Sequence, residues 1–256
     1  MQTVLLASMK GGTGKTTSAI ALSATWATEH RKDVVLYDGD PQGTLTRQMR
    51  HGVQREPWLA DPVPVGIPQM AERACIFRGG RALGLTRPQN VRAFFRRPEW
   101  DDRLRADIAV IDTPNGGIMH ILEAADVADL LLIPVDTSPF GLEGLKETLD
   151  LLKAIDPPIP SRVLLTRLVS RRKIITEEII EFLDANHPGM RLEISIPEDA
   201  RVLESHRDRR PLTLRPRGQA ADAYRLVGAN LLKVLRGLRR VRHAVNRSAL
   251  AGAGAA

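Results

Sequence analysis

Residues 3–30, TVLLASMKGGTGKTTSAIALSATWATEH, carry the clearest structural signal in the sequence. The stretch begins with a continuous apolar run, continues with glycines and lysines, and ends with apolar residues at helical spacing. In a strand, glycine loop and helix in this order, backbone N–H groups curl around phosphates at the positive end of the helix. The stretch therefore predicts a phosphate-binding loop between a buried strand and a helix.

One position of this loop departs from the usual consensus, G-x-x-x-x-G-K-[ST]. Met9 stands where the first glycine is expected, and a second lysine, Lys10, follows it. Lys15 is expected to reach the β- and γ-phosphates of a nucleotide, and Thr16 to offer its hydroxyl to Mg²⁺. The loop and first-turn residues expected to contact the nucleotide are Gly11, Gly12, Thr13, Gly14, Lys15, Thr16 and Thr17.

Short apolar runs alternate with helical stretches along the rest of the chain. The runs that we predict to be strands are 3–8, 33–38, 107–112, 129–135, 162–166 and 192–196. The stretches with helical spacing are 16–30, 117–127, 141–154, 173–186 and 218–243. Because most apolar runs are continuous instead of alternating, they are typical of strands buried on both faces of a parallel sheet. The pattern predicts an α/β fold with a doubly wound, mostly parallel sheet and helices on both faces.

Two segments fall outside this alternation. Residues 51–100 are rich in Pro, Gly and Arg and predict a variable connection that contains a helix or two. The low-complexity end of the chain predicts a disordered tail, which we assign to residues 246–256. We expect residues 1–245 to form a single domain.

Aspartates occur where predicted strands end. The second strand ends in YDGDPQG, which contains Asp38 and Asp40, and the third ends in IAVIDTP, which contains Asp112. A nucleotide hydrolase needs carboxylates to organise its metal and its attacking water, and the strand ends of a doubly wound sheet are where such groups meet. The three aspartates are therefore expected beside the phosphate loop.

The composition limits the classes of partner and of site. Lys and Arg outnumber Asp and Glu by 37 to 30, which favours a polyanionic partner, nucleic acid or an acidic membrane surface, although simple solubility explains the excess equally well. The single cysteine, Cys75, excludes a disulfide framework and a cysteine-rich metal site within one chain. The N-terminus lacks a basic region and a long apolar stretch, so a cytosolic protein is expected.

Three short motifs carry a resemblance to a known family. The sequences KGGTGKTT, DGDPQG and IDTP resemble the nucleotide motifs of the ParA/MinD group of deviant Walker ATPases, and ParA-type partition proteins most of all. The resemblance spans roughly residues 2–235, although 45–105 matches only in length. It implies a P-loop NTPase fold, ATP and Mg²⁺ as cofactors, slow partner-stimulated hydrolysis and a homodimer in the ATP state.

The resemblance also implies a role for individual residues. Lys10 matches the signature lysine, which would reach across an ATP-bound dimer to the partner's nucleotide and would act on developing charge as an arginine finger does. Asp40 would position the attacking water. Asp38 would help to organise Mg²⁺, and Asp112 would hold the ion through a water. In the stretch that resembles the family's closing loop, Pro197 is expected to contact the nucleotide.

Three positions depart from the family pattern. Thr44 stands where Asn is common, and Thr-Pro-Asn-Gly-Gly follows Asp112 where a double proline is usual. Glu198 and Asp199 replace an Arg-Asn pair. These changes leave hydrolysis intact as an expectation and bear on the switch response, the adenine contacts and the stimulating partner.

Basic residues late in the chain suggest how such a dimer would bind DNA. In ParA-like dimers, residues in the corresponding regions bind DNA non-specifically, a mode of binding that falls steeply with salt. The residues expected to do so here are Arg171, Arg172, Lys173, Arg209, Arg215 and Arg217. The resemblance then implies a ParB-like or cargo-adaptor protein as the stimulating partner, and a cytoplasmic, nucleoid-associated location.

The sequence is also compatible with two other functions. The helix predicted at 231–245 has one apolar and one basic face, so it could lie on an anionic membrane as the C-terminal helix of MinD does. It lacks a Phe or Trp anchor, and we favour packing of its apolar face on the core, which makes membrane binding the less favoured alternative. The remaining hypothesis is that the protein is a non-enzymatic binding module in which the nucleotide is structural. Cluster-carrying and arsenite-pump relatives need cysteines that a chain with only Cys75 lacks.

Overall fold

The computed structural model of the 256-residue chain describes most of the region that the sequence predicts to be the domain. The residues described are 1–40, 42–49, 65–67, 70, 73–77, 106–116, 122, 127–156, 158–216 and 218–253, with only the backbone at 170 and 242–253. Nearly all of the predicted helix 117–127, and Arg217 of the predicted DNA-binding residues, lie outside them.

A single mixed sheet forms the centre of the described structure. Its strands are β1 (Gln2–Leu6), β2 (Val34–Asp38), β3 (Val65–Gly66), β4 (Ala74–Phe77), β5 (Ile108–Asp112), β6 (Leu130–Asp136) and β7 (Ser161–Thr166). Their order across the sheet is β3-β4-β2-β5-β1-β6-β7. All neighbours pair in parallel except β3, which is antiparallel to β4 at one edge. The predicted doubly wound, mostly parallel sheet is confirmed.

The strand register brings the predicted aspartates to one edge of the sheet. Asp38 at the end of β2 pairs with Asp112 at the end of β5, and Asp112 in turn pairs with Leu6 at the end of β1. The chain leaves β1 at this edge to enter the phosphate loop. The carboxyl ends of three adjacent strands therefore surround the loop, as expected at the crevice of a doubly wound sheet.

Helices cover both faces of the sheet. They are α1 (Lys15–Thr28), α2 (Thr44–Met49), α3 (Pro139–Leu152), α4 (Lys173–Asn186), α5 (Ala200–Arg207) and α6 (Gln219–Ala253), with 3₁₀ turns at Ser170–Arg172 and Leu212–Leu214. Successive side chains of a strand point to opposite faces. Accordingly, Val4 packs in one buried cluster with Trp26 of α1, and Leu5 packs in the other with Leu145 of α3. None of the helices in the described part of the chain is both long and apolar enough to span a bilayer.

The long helix α6 packs on α1 through its apolar face. Trp26 donates a hydrogen bond from Nε1 to the carbonyl of Gly228 at 2.9 Å, and Leu231 and Leu235 are fully buried. The preferred prediction of core packing is therefore confirmed for this part of the helix. Farther along, Val241 is 63% exposed.

Three sequence predictions differ from the observed elements. Residues 192–196 form no strand, because their backbone bonds to β7 are too widely spaced for a ladder and leave only isolated bridges at Arg191 and Pro197. Strands β3 and β4 lie within 51–100, where only helices were expected, because short strands give little periodic signal. Helix α6 runs to Ala253 instead of ending at 243, through much of the predicted tail, because alanine, leucine and arginine favour helices.

The start of α3 provides a test of close packing. A Cβ atom at Gly141 would lie 2.0 Å from the backbone oxygen of Asp136, whereas a Cβ at Gly237 in α6 would meet nothing within 4 Å. We expect Gly141→Ala to lower the free energy of unfolding by about 2 kcal/mol or more through overpacking. The control Gly237→Ala should raise it by about 0.5–1 kcal/mol through the higher helix propensity of alanine. Urea denaturation measures both, and equal stabilities would contradict the described packing.

Candidate nucleotide-binding site

The loop between β1 and α1 curls in the way that phosphate binding requires. Its backbone takes left-handed conformations at Gly12 and Gly14, with φ of 76° and 91°, which glycine adopts without strain. Thr13 is buried, and its carbonyl accepts a hydrogen bond of 2.8 Å from the hydroxyl of Thr166 at the end of β7. The loop is therefore held against the carboxyl edge of the sheet.

Lys15 begins α1, and its ammonium group turns back into the loop. Its Nζ donates to the carbonyl of Lys10 at 3.2 Å and to Oδ1 of Asn115 at 2.7 Å. Burial lowers the pKa of Lys15, while the charges of Asp112 and Asp40 act in the opposite direction. The two aspartates are thus close enough to interact with the lysine that is expected to bind phosphates.

Asp112 is fully buried beside the first turn of α1. Its Oδ2 accepts a hydrogen bond of 2.7 Å from the hydroxyl of Thr16, and its Oδ1 is buried without a hydrogen-bond partner. Burial raises the pKa of Asp112 to about 7, against the lowering effect of the Thr16 bond, and the charge of Asp38 raises it further. The site therefore disfavours an ionised carboxylate unless a cation is nearby.

Asp38 is held rigidly in the neighbouring position. Its Oδ2 accepts from both the backbone N–H and the hydroxyl of Thr46, at 2.8 and 2.6 Å. Its Oδ1 accepts from the backbone N–H of Asp40 at 3.2 Å. Burial raises the pKa of Asp38 despite these bonds. Helix α2, which carries Thr46, thus orients a carboxylate at the edge where the metal is expected.

The residues at this edge fit a magnesium ion that is bound together with a nucleotide. Thr16 supplies a hydroxyl, and the unpartnered Oδ1 of Asp112 supplies a buried carboxylate oxygen. The described residues contain no group of three or more His, Cys, Asp or Glu side chains that could hold a metal on their own. Mg²⁺ usually takes one or two protein ligands and completes its shell with waters and phosphate oxygens, so a sparse set of ligands suits it.

Asp40 is oriented by residues at the start of α2. Its Oδ2 accepts a hydrogen bond of 2.6 Å from the hydroxyl of Thr44, and its Oδ1 accepts one of 2.8 Å from the backbone N–H of Gln42. Thr44 is one of the positions where the sequence departs from the family pattern, and its hydroxyl fixes the carboxylate that is expected to position water. That role of Asp40 stays a prediction.

The side chain of Lys10 lies on α3. Its Nζ lies 4.3 Å from the ring centroid of Phe140 and is buried without a hydrogen-bond partner. Its stem passes so close to Gly144 that a Cβ there would lie 2.9 Å from the Cβ of Lys10. A cation–π contact is worth about 0.5–2 kcal/mol, so the lysine can leave the ring at a modest cost. To reach the nucleotide of a partner subunit, as predicted, Lys10 must leave the ring of Phe140.

Helix α5, which follows Pro197 closely, contacts the first turn of α1. Pro197 is half-buried and forms a bridge with Leu168 after β7. In α5, Nε2 of His206 lies 3.1 Å from the hydroxyl of Thr17. Burial lowers the pKa of His206. The expectation that Pro197 and Thr17 contact the nucleotide stays a prediction. Through His206, α5 lies next to Thr17.

The predicted DNA-binding residues divide into two groups. Arg171 and Arg172 form part of the turn before α4, and Lys173 is 79% exposed with a surface ion pair to Glu177 at 3.6 Å. Arg215, in contrast, is only 18% exposed.

The guanidinium of Arg215 forms ion pairs within the protein. It bonds to the carboxylates of Glu204, at 3.2 Å, and Asp208. The placement of Arg215 does not support its predicted contact with DNA phosphates, because breaking partly buried ion pairs is costly. Arg209 is exposed at the end of α5.

Several residues of the site were not predicted from the sequence. Thr46, Thr166 and Phe140 contact Asp38, Thr13 and Lys10 respectively, and a lone Thr or Phe gives no signal of such a contact. The sequence marks Asn115 only as part of the departure from a double proline. A polar residue that close to Asp112 was the one available sign.

Comparisons with known proteins agree with this geometry. Residues 4–212 match the family described as the CobQ/CobB/MinD/ParA nucleotide binding domain. The chromosome partitioning protein ParA of Myxococcus xanthus is 27% identical over 254 residues, which cover 90% of this chain and 87% of that protein. The chromosome-partitioning ATPase Soj of Thermus thermophilus is 26% identical, with 90% and 94% covered.

A solved structure has the same fold. The septum site-determining protein MinD of Pyrococcus horikoshii, complexed with Mg-ADP, superposes with a TM-score of 0.73 over 91% of this chain and 96% of its own. The sequence identity is 21%, so this likeness concerns the fold alone.

The half-buried ring of His206 gives a pH test of the contact between α5 and α1. Its lowered pKa means that the unfolded chain takes up a proton first, below the ordinary pKa of about 6.5. The stabilisation by neutral His206 is therefore present above that pH and is lost as the pH falls through the lowered pKa. Between about pH 7.5 and about pH 5.5, we expect His206→Gln to lose less unfolding free energy than the wild type in urea denaturation. His30→Gln controls for the replacement of a histidine, and identical pH profiles of the wild type and His206→Gln would contradict the contact.

Proposed function

This chain belongs to the CobQ/CobB/MinD/ParA nucleotide-binding domain family, as its motifs predict, and we propose on that basis that it is a Mg²⁺-dependent ATPase of ParA type. ATP would join two chains into a dimer, and the dimer would bind DNA non-specifically. Hydrolysis stimulated by a partner would release it, so that the cycle segregates or positions a plasmid, a chromosome region or another cargo. The observation that carries the proposal is the hydrogen bond of Thr16 to Asp112 at the phosphate loop, within reach of the charge of Lys15.

The chemistry follows from what these side chains hold. Lys15 would neutralise the β- and γ-phosphates, and the loop N–H groups would bind their oxygens. Thr16 and Asp112 would hold Mg²⁺, which supplies charge stabilisation to the transferred phosphoryl group. A divalent cation there would also favour the ionised form of Asp112, which burial alone disfavours. Asp40, fixed by Thr44, would orient the attacking water.

The dimer depends on Lys10 in this proposal. An ammonium that is buried without a hydrogen-bond partner gains new bonds when it reaches a phosphate. The weak contact with Phe140 is the one that it gives up. ATP binding and dimerisation would therefore be coupled through this side chain, because the γ-phosphate of the partner offers it the strongest acceptors.

The DNA surface in this proposal is narrower than the sequence suggested. Arg171, Arg172 and Lys173 follow β7 and lie at the same edge of the sheet as the phosphate loop. Sequence-independent binding needs only such exposed cations, because released counterions drive it. The curated relatives are named for chromosome partitioning, which supports DNA as the partner. A nucleoid-associated, cytoplasmic protein with a ParB-like or cargo-adaptor partner fits this mode.

The membrane alternative receives less support. An interfacial helix needs a free apolar face. In α6 that face is occupied as far as Leu238, because Leu231 and Leu235 are fully buried and Leu238 packs against the same cluster, and only beyond it is Val241 exposed. A non-enzymatic module is also less well supported, since it assigns no role to the fixed carboxylate of Asp40.

Four single variants test the cycle in assays of Mg-ATP binding, ATP hydrolysis and ATP-dependent DNA binding. Lys15→Ala should lose nucleotide and DNA binding together. Lys10→Ala should still bind ATP but neither dimerise nor bind DNA. Asp40→Ala should bind DNA and lose hydrolysis by roughly 10²-fold or more. Lys153→Ala, which replaces an exposed lysine beyond the end of α3, should resemble the wild type. DNA binding that is independent of ATP, or unchanged in Lys10→Ala, would refute the proposed cycle.

The salt dependence of DNA binding tests the surface itself. Each phosphate contact contributes about one to the slope of log K against log salt, so Arg171→Ala/Arg172→Ala should reduce that slope by roughly two per chain, or about four for the dimer. Arg215→Ala should instead lower protein stability, because it removes the ion pairs that Arg215 makes with Glu204 and Asp208. The control Lys153→Ala should leave the slope unchanged. Equal slopes for the double variant and the wild type would exclude this turn from the DNA surface.

A further inference from the structure

The side chain of Asn115 lies across the phosphate loop. Its Oδ1 accepts the 2.7 Å hydrogen bond from Nζ of Lys15. Its Nδ2 lies so close to Gly11 that a Cβ built there would be 3.1 Å away. The amide therefore extends from one side of the loop to the lysine on the other, and it fits because position 11 carries no side chain.

The donors of Lys15 are nearly used up by the protein itself. An ammonium group has three protons. One goes to the carbonyl of Lys10 and one to Asn115, which leaves one. The carbonyl belongs to the loop backbone, whereas Asn115 is exposed, so the bond to Asn115 is the one that a ligand can replace.

A diphosphate and a triphosphate make different demands on this ammonium. ADP presents only its β-phosphate, for which the remaining proton suffices. ATP presents both β- and γ-phosphate oxygens to the same lysine. A γ-phosphate therefore needs the proton that Asn115 holds.

We propose that Asn115 senses the γ-phosphate by competing with it for Lys15. ATP displaces the amide, whereas ADP leaves the bond to Lys15 in place. This inference rests on the proposed function only in that Lys15 binds nucleotide phosphates. It assigns a nucleotide-discriminating role to a residue of this chain that stands where the family pattern has a proline, which has no side-chain amide.

The backbone just before Asn115 is anchored to the sheet. Thr113 is anchored to β1, because its backbone N–H and its hydroxyl both donate to the carbonyl of Leu6, at 3.3 and 2.9 Å. Asp112, one residue earlier, is part of β5. Displacement of the Asn115 amide thus leaves the metal-binding edge in place.

The test compares the binding of Mg-ADP and of the Mg complex of a non-hydrolysable ATP analogue by calorimetry. It uses the full chain with Lys10→Ala, so that dimerisation does not contribute. In this background, Asn115→Ala should bind the ATP analogue roughly ten- to a hundredfold more tightly, the range that a bond to a charged group produces, and ADP within about twofold. Asn115→Asp should weaken the ATP analogue far more than ADP, because a carboxylate pairs with Lys15 and repels the γ-phosphate.

Asn186→Ala, at the end of α4, is the matched control and should change neither affinity. Equal effects of Asn115→Ala on the two nucleotides, or weaker binding of the ATP analogue, would overturn the inference while leaving the proposed function intact. Thermal melting checks that each variant is folded. If Asn115→Ala does not fold, the relative affinities of Asn115→Asp for the ATP analogue and ADP test the inference instead. Failure of the Lys10→Ala chain and the wild type to bind any nucleotide would refute both proposals.

Discussion

The hydrogen bond between Thr16 and the fully buried carboxylate of Asp112 is the interaction on which the site depends. It joins the first turn of α1 to the end of β5 and fixes both potential magnesium ligands. An isolated charge at such a position is costly, and this cost appears as the raised pKa of Asp112. The protein thus retains a destabilised acid at the point where a dication would stabilise it, so the site is arranged for a charged ligand more than for its own stability.

Groups that lie far apart in the sequence complete this arrangement. Thr166 holds the loop, Thr46 holds Asp38, and Asn115 holds Lys15. Each comes from a different strand end or adjoining helix, so the phosphate position is linked to several elements at once. Displacement of one of these groups therefore changes the bonds of an element outside the loop.

The C-terminal part of the chain shows how the same residue type serves two purposes. Arg225 bonds to Glu29 of α1 and to Asp222, and so fastens α6 to the rest of the domain. Arg215 does the same for α5, whereas Arg171 lies on the surface of the turn before α4. Net charge counts these residues alike, but only exposed ones can release counterions from DNA. The basic excess is therefore partly structural.

The sequence alone determined the phosphate loop, the parallel sheet and the aspartates at its edge. Each depends on local chemistry, such as glycines before a helix, continuous apolar runs and acidic residues directly after them. The tertiary structure alone decided that Asn115 bonds to Lys15, that Phe140 covers Lys10, that Arg215 is half-buried in ion pairs and that 192–196 forms no strand. These contacts join positions that are distant along the chain. Their geometry arises from how strands and helices pack, which no single stretch of sequence encodes.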